Sequence, residues 1–166
     1  LPHHEESAMP FEQTIPVFDS GIRALCAKPY PGHKKGCPNL GKKAGCPPSI
    51  GVLHDVYDVG SPLFVIWNVC DFGAHVAKML DRHPQWSQRQ LACCLYWQGT
   101  ARKQLRAELE AFERAHPGLV VNTCPEAMGM NVTATMASLG VQLEWPPETV
   151  AIQVALAGTL MATSTA

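Results

Sequence analysis

Several absences narrow this chain before any motif is considered. No apolar run reaches the length that a membrane-spanning helix needs. The most apolar stretch, residues 149–161, is broken by Gln153 and Gly158 and reads as a buried strand. No Gly-x-x-x-x-Gly-Lys-Ser/Thr, no Gly-x-Gly-x-x-Gly following a strand and no His-Glu-x-x-His occurs, so phosphate-loop, dinucleotide and zinc-protease chemistry have no foothold. No secretory signal is visible, and the seven cysteines are an odd number, so a disulfide framework is disfavoured and a reducing, cytoplasmic home is expected. Carboxylates are missing altogether from residues 21–54, where six cations (Arg23, Lys28, Lys34, Lys35, Lys42, Lys43) stand in a chain of net charge −1.

What is present is concentrated in residues 26–47. Cys26, Cys37 and Cys46 sit there at Cys-x10-Cys-x8-Cys spacing, amid four glycines and the prolines at 29, 31, 38 and 47. Glycine and proline at that density exclude a helix or a central strand. Tyr30 and Leu40 are nearly all the loop has to bury, too little to offset its ordering entropy. Three thiols therefore point to a metal. Cys37, Cys46 and the distant Cys124 are each followed by proline, as at the end of the bacterial ferredoxin ligand run. A structural zinc site is the competing reading, although the close cysteine knuckle common in such sites is absent. His33 is a further donor in the loop, more simply read as solvated. Lys34, Lys35, Lys42 and Lys43 would stabilise an anionic cluster or receive an anionic ligand.

The rest of the chain reads as α/β. Residues 62–70 form a near-continuous apolar strand. Asp71 caps a helix with Phe72, Val76, Met79 and Leu80 on one side. Ser87 and Gln90 make a capping box that opens the longest helix, running to Ala115 through Leu91, Cys94, Ala101, Leu105, Leu109 and Phe112. Cys94 belongs on its apolar side and reads as core, and Gly99 weakens its middle. Residues 119–122 are a short strand before Cys124, Asn131 caps a third helix that Gly140 stops, and residues 150–156 are the last strand. Helices between strands imply crossovers, hence a small mixed or parallel sheet with packed helices and a cysteine-rich metal-binding loop. One domain over 1–166 is expected: an irregular lead-in (1–20), the cysteine loop (21–50) and an α/β body (51–166). In the lead-in, His3-His4 beside Glu5-Glu6 is a weak metal-binding candidate.

Cys70 and Cys124 both stand at or just past strand ends, where α/β sites gather. Cys124 is the first choice for a fourth ligand and Cys70 the second; ligation by three cysteines would leave one iron open to a substrate. Glu126 lies beside Cys124 as a base or oxygen ligand, and Asp71 with His75 lies beside Cys70.

The stretch Gly36-Cys37-Pro38-Asn39-Leu40-Gly41-Lys42-Lys43, then Cys46-Pro47-Pro48, resembles a family of small prokaryotic predicted metal-binding proteins carrying Cys-Pro-Asn-Tyr-Gly-Lys and Cys-Pro-Pro. Residues 125–132 are similar to its Glu-Ala-x-Gly-Ile-Asp-Val segment. The resemblance implies a metal or cluster at Cys37 and Cys46 and no settled activity. Leu40 replaces the usual tyrosine, and Cys93-Cys94 does not reproduce the closely spaced cysteines of some relatives, so a second cluster is not expected.

The leading expectation is one [4Fe-4S] cluster on Cys26, Cys37, Cys46 and Cys124, serving electron transfer with a redox partner protein or chemistry on a small anionic or sulfur-bearing substrate. The alternative is a zinc-stabilised module whose loop lysines bind nucleic acid. A thiol enzyme using Cys93 or Cys94 near Arg89 ranks last, because no histidine–carboxylate partner accompanies them.

Overall fold

Val65 and Ile66 are neighbours in sequence, point to opposite sides of a strand and are both 0% exposed. The sheet that contains them is therefore covered on both faces, as their unbroken apolar run implies. The structure, a computed structural model, describes residues 10–30 and 33–162. Four strands form one sheet: β1 (Phe11–Thr14), β2 (Leu63–Asp71), β3 (Val120–Asn122) and β4 (Val150–Gly158), in the order β1-β2-β4-β3. The helices are α1 (Ser20–Ala24), α2 (Leu53–Val56), α3 (Phe72–Arg82), α4 (Gln88–Leu91), α5 (Gln98–Ala115) and α6 (Val132–Ser138). None of them is long and apolar enough to cross a membrane.

The α/β class is as expected, but the strand pairing is not: every adjacent pair is antiparallel. β2 and β3 do run in the same direction, as a helical crossover requires, yet β4 inserts between them and opposes both. Burial gives the reason. Ala155, Leu156 and Ala157 of β4 are all 0% exposed, which only a central strand allows, while short β3 with its exposed Val120 suits an edge.

One face of the sheet carries α5, whose Leu105, Leu109 and Phe112 pack on Ile66, Ala155 and Ala157. The other face joins Leu63, Val65, Val154 and Leu156 to Leu53, Tyr57, Met128, Met130 and Met136. Tyr57 spans the second layer, its hydroxyl donating to the Val120 carbonyl at 2.8 Å.

Helix caps follow the expected chemistry. The Asp71 carboxylate accepts from Ala74 N at 2.8 Å, the Asn131 side chain accepts from Ala134 N at 3.0 Å, and Ser87 and Gln90 form a capping box. Several boundaries differ. Part of the supposed lead-in is ordered, since Phe11–Thr14 pairs with β2 and α1 begins at Ser20. The His3–Glu6 candidate lies outside the described residues. Residues 49–61 contain the short α2. The long helix expected from Ser87 is broken into α4 and α5, and between them Trp97 sets its ring edge against Phe72, 5.4 Å between centroids. Gly99 therefore lies in the first turn of α5 instead of mid-helix. Cys94 falls in the break and is exposed, so it is not a core residue.

Glu144 ties down the turn before β4, accepting from Glu148 N at 2.7 Å, from Thr149 N at 2.8 Å and from the Thr149 hydroxyl. These bonds, the hydroxyl first, hold its carboxyl at about 2, below the ordinary 4.5. A depressed carboxylate contributes stability that is complete above its unfolded pKa and lost as pH falls through the folded one. The urea midpoint is expected to drop more for the wild type than for Glu144→Gln as pH falls from 4.5 toward about 2.

Candidate metal centre

The site is assembled by two chain segments that backbone hydrogen bonds hold together. Asn131 N donates to Val17 O at 2.7 Å, and Asp19 N donates to Gly129 O at 2.8 Å. Val17 N donates to the Thr135 hydroxyl at 2.9 Å. Phe18 lies on Gly129, where a Cβ would stand 2.6 Å from the ring; with φ at +89°, that position admits only glycine. The segment leading into α1 is thereby fastened to the 3-10 turn Pro125–Met128, and the two elements carry Cys26 and Cys124 to the same place. Asp19 caps α1 through Gly21 N at 2.8 Å, and Cys26 follows in the tight turn Leu25–Ala27.

Cys37 is tied directly to Cys26, its N–H donating to the Cys26 carbonyl at 2.8 Å. Gly36 permits this approach: its φ is +84°, and a Cβ there would sit 2.7 Å from that same carbonyl oxygen. Cys46 is held by successive turns, with Cys46 N on Lys43 O at 3.0 Å and Ile50 N on Cys46 O at 3.1 Å. Pro47 is buried and Ile50 packs on the main core, so the loop has anchors that its composition concealed. At Cys124, the backbone N–H donates to the Asn122 side chain at 2.8 Å, and the carbonyl accepts from Ala127 N at 3.1 Å.

The four thiols feel one another. Burial raises the pKa of Cys26, with further contributions from Cys37 and Cys46, while the Arg23 charge opposes them. Cys124 keeps an opening to solvent, yet the protein around its sulfur pushes it up to about 11, helped by Glu126 and then by Cys46 and Cys26. Burial also raises the Glu126 carboxyl, which is partly held down by the Cys124 thiol donating to it. Cys70 belongs to a different neighbourhood. Its thiol responds to burial and to Asp71 alone, and it shares the sheet face of Ile66 and Asn68, whereas Met128 of the Cys124 turn packs on the opposite face. His75 stacks on Phe72, and its Nε2 is buried with no partner. Cys93 is half-buried near the α4–α5 break.

Among the described residues, no three His, Cys, Asp or Glu side chains stand close enough to grip a single ion. The thiols are neighbours without meeting at a point. Zinc asks each thiolate to reach a common centre at about 2.3 Å, whereas a cubane distributes its thiolates over several irons. The donors in this neighbourhood are thiols, with the Arg23 guanidinium acting on Cys26. His33 is exposed and pairs with Tyr30, their rings 4.7 Å apart. Lys34, Lys35 and Lys42 line a shallow cleft of about 410 Å³ beside Cys37; Lys43 is exposed and not part of its wall.

Arg23 is the residue sequence reasoning passed over. Its spacing of three from Cys26 was the available signal, since residues three apart share a helix face. The chain matches no protein-family model, no curated protein and no solved structure.

Raised thiols favour the protonated fold, so this contribution is complete below the unfolded value near 9.0 and lost as pH rises toward about 11. Metal-free wild type is expected to lose more of its urea midpoint than Cys124→Ser over that interval.

Proposed function

We propose that this protein carries one [4Fe-4S] cluster on Cys26, Cys37, Cys46 and Cys124 and serves as an electron carrier in a reducing compartment, exchanging electrons with a redox partner protein. The observation that carries the reading is electrostatic. Cys124, remote in sequence, is perturbed by Cys46 and Cys26, while Cys70 is not. Four thiolates satisfy a cubane completely, which favours electron transfer over substrate chemistry at an open iron. Such a cluster, when bound, supplies a one-electron couple. The protein's own residues supply the thiolates and Glu126 as acceptor for the proton Cys124 gives up on ligation.

Oxygen-free reconstitution with iron and sulfide is expected to give a brown protein with about four irons and four sulfides per chain. Cys124→Ala should lose the cluster or bind it incompletely, and Cys70→Ala should keep it. Colourless protein with stoichiometric zinc, or equal damage from the two substitutions, would reject the reading.

The lysine-lined cleft supports a second reading, a zinc-stabilised module that grips nucleic-acid phosphates. That reading demands RNA or DNA binding whose log K falls with log salt, the slope shrinking by about 0.7–0.9 for each phosphate-contacting lysine removed. Substitution of Lys34, Lys35, Lys42 and Lys43 to alanine, read by titration across salt concentrations, decides between the two.

A further inference from the structure

A guanidinium nitrogen, Arg23 Nη1, is buried and has no hydrogen-bond partner. Arginine does not deprotonate in proteins, so its charge cannot be shed, and a buried donor of this kind ordinarily has an acceptor. The chain supplies no carboxylate from residue 21 to residue 54, and the Asp19 side chain is engaged in capping Gly21. The group shown to lie in Arg23's field is the Cys26 thiol. Uncharged thiols accept hydrogen bonds weakly and do not neutralise a cation. Four thiolates around a cubane leave a net negative centre whose sulfurs accept hydrogen bonds well.

We propose that Arg23 is a positioning residue that donates through the buried Nη1 to a sulfur of the cluster on its Cys26 side, and so raises the reduction potential of the centre. The inference rests on the cluster reading above. Reduction adds one electron to an already negative group, so a fixed cation at close range stabilises the reduced form more than the oxidised one. Arg23 is thus mismatched in the metal-free protein and matched in the loaded one.

The test uses the full chain as wild type, Arg23→Gln and Arg23→Lys, reconstituted without oxygen, with iron and sulfide counted before the midpoint potential is measured. Arg23→Gln is expected to shift the potential to more negative values, and Arg23→Lys to recover part of the shift by restoring charge without the planar fork. Cluster loss in the glutamine variant with recovery in the lysine variant also supports the proposal. Equal loss in both marks a packing role and overturns it, as does a full cluster with unchanged potential in Arg23→Gln. Unfolding of the metal-free proteins gives an independent check. Removing a half-buried cation with an unsatisfied donor should leave the urea midpoint unchanged or higher, and a lowered midpoint counts against the proposal. A wild-type chain that takes up neither iron nor sulfide overturns the cluster reading together with this one, whereas a loaded wild type with an indifferent Arg23 overturns only this one.

Discussion

The hydrogen bonds that join residues 17–19 to residues 129–135 are the constraint on which the rest of the site depends. Main-chain bonds of 2.7 and 2.8 Å, with the ring of Phe18 resting on Gly129, set the separation between α1 and the turn that begins at Cys124. Because the contact is largely backbone to backbone, it needs few particular side chains but admits no Cβ at residue 129. Cys26 and Cys124 inherit their proximity from this joint. Gly36 then does for Cys37 what Gly129 does for Cys124, letting one main chain lie against another.

The sheet divides the chemistry of the molecule. With β4 inserted between β2 and β3, one face is closed by α5 and the other by the methionine-rich layer of Met128, Met130 and Met136. Cys70 faces the first layer and the Cys124 turn packs on the second. Cys70, near the end of β2, and Cys124, just past β3, are thus kept apart by the thickness of a sheet although the two strands run in the same direction. Strand ends mark where sites gather, but the face decides which thiols share a site.

Charge is unevenly placed around the cysteine loop. In the metal-free protein, burial and mutual repulsion keep Cys26 and Cys124 protonated, and Glu126 is itself raised. Arg23 is left with a buried donor and no acceptor, and the exposed lysines of the loop add positive potential around Cys37. Each of these features is unfavourable or idle alone. The anionic sulfur-bound centre we propose would relieve them together, since it would replace protons on the thiols and supply the acceptor that Arg23 lacks.

Local features were legible in the amino-acid order because they depend on neighbours in the chain: the Asp71 and Asn131 caps, the Ser87–Gln90 box, the buried run of β2, and a glycine–proline loop without regular structure. The loop's anchors were not, because Pro47 and Ile50 reach a core built from residues far away. Neither was the break before α5, where the packing of Trp97 on Phe72 prevails over helical propensity, nor the exposure of Cys94 that follows from it. The order of residues by itself determined that three cysteines share a carboxylate-free cationic loop, and it left Cys124 and Cys70 as candidates for a remote companion. Only the tertiary structure put Cys124, and not Cys70, in the neighbourhood of Cys26 and Cys46, with Arg23 acting on Cys26. Sheet order, face and burial arise from contacts between distant segments, which no local pattern encodes.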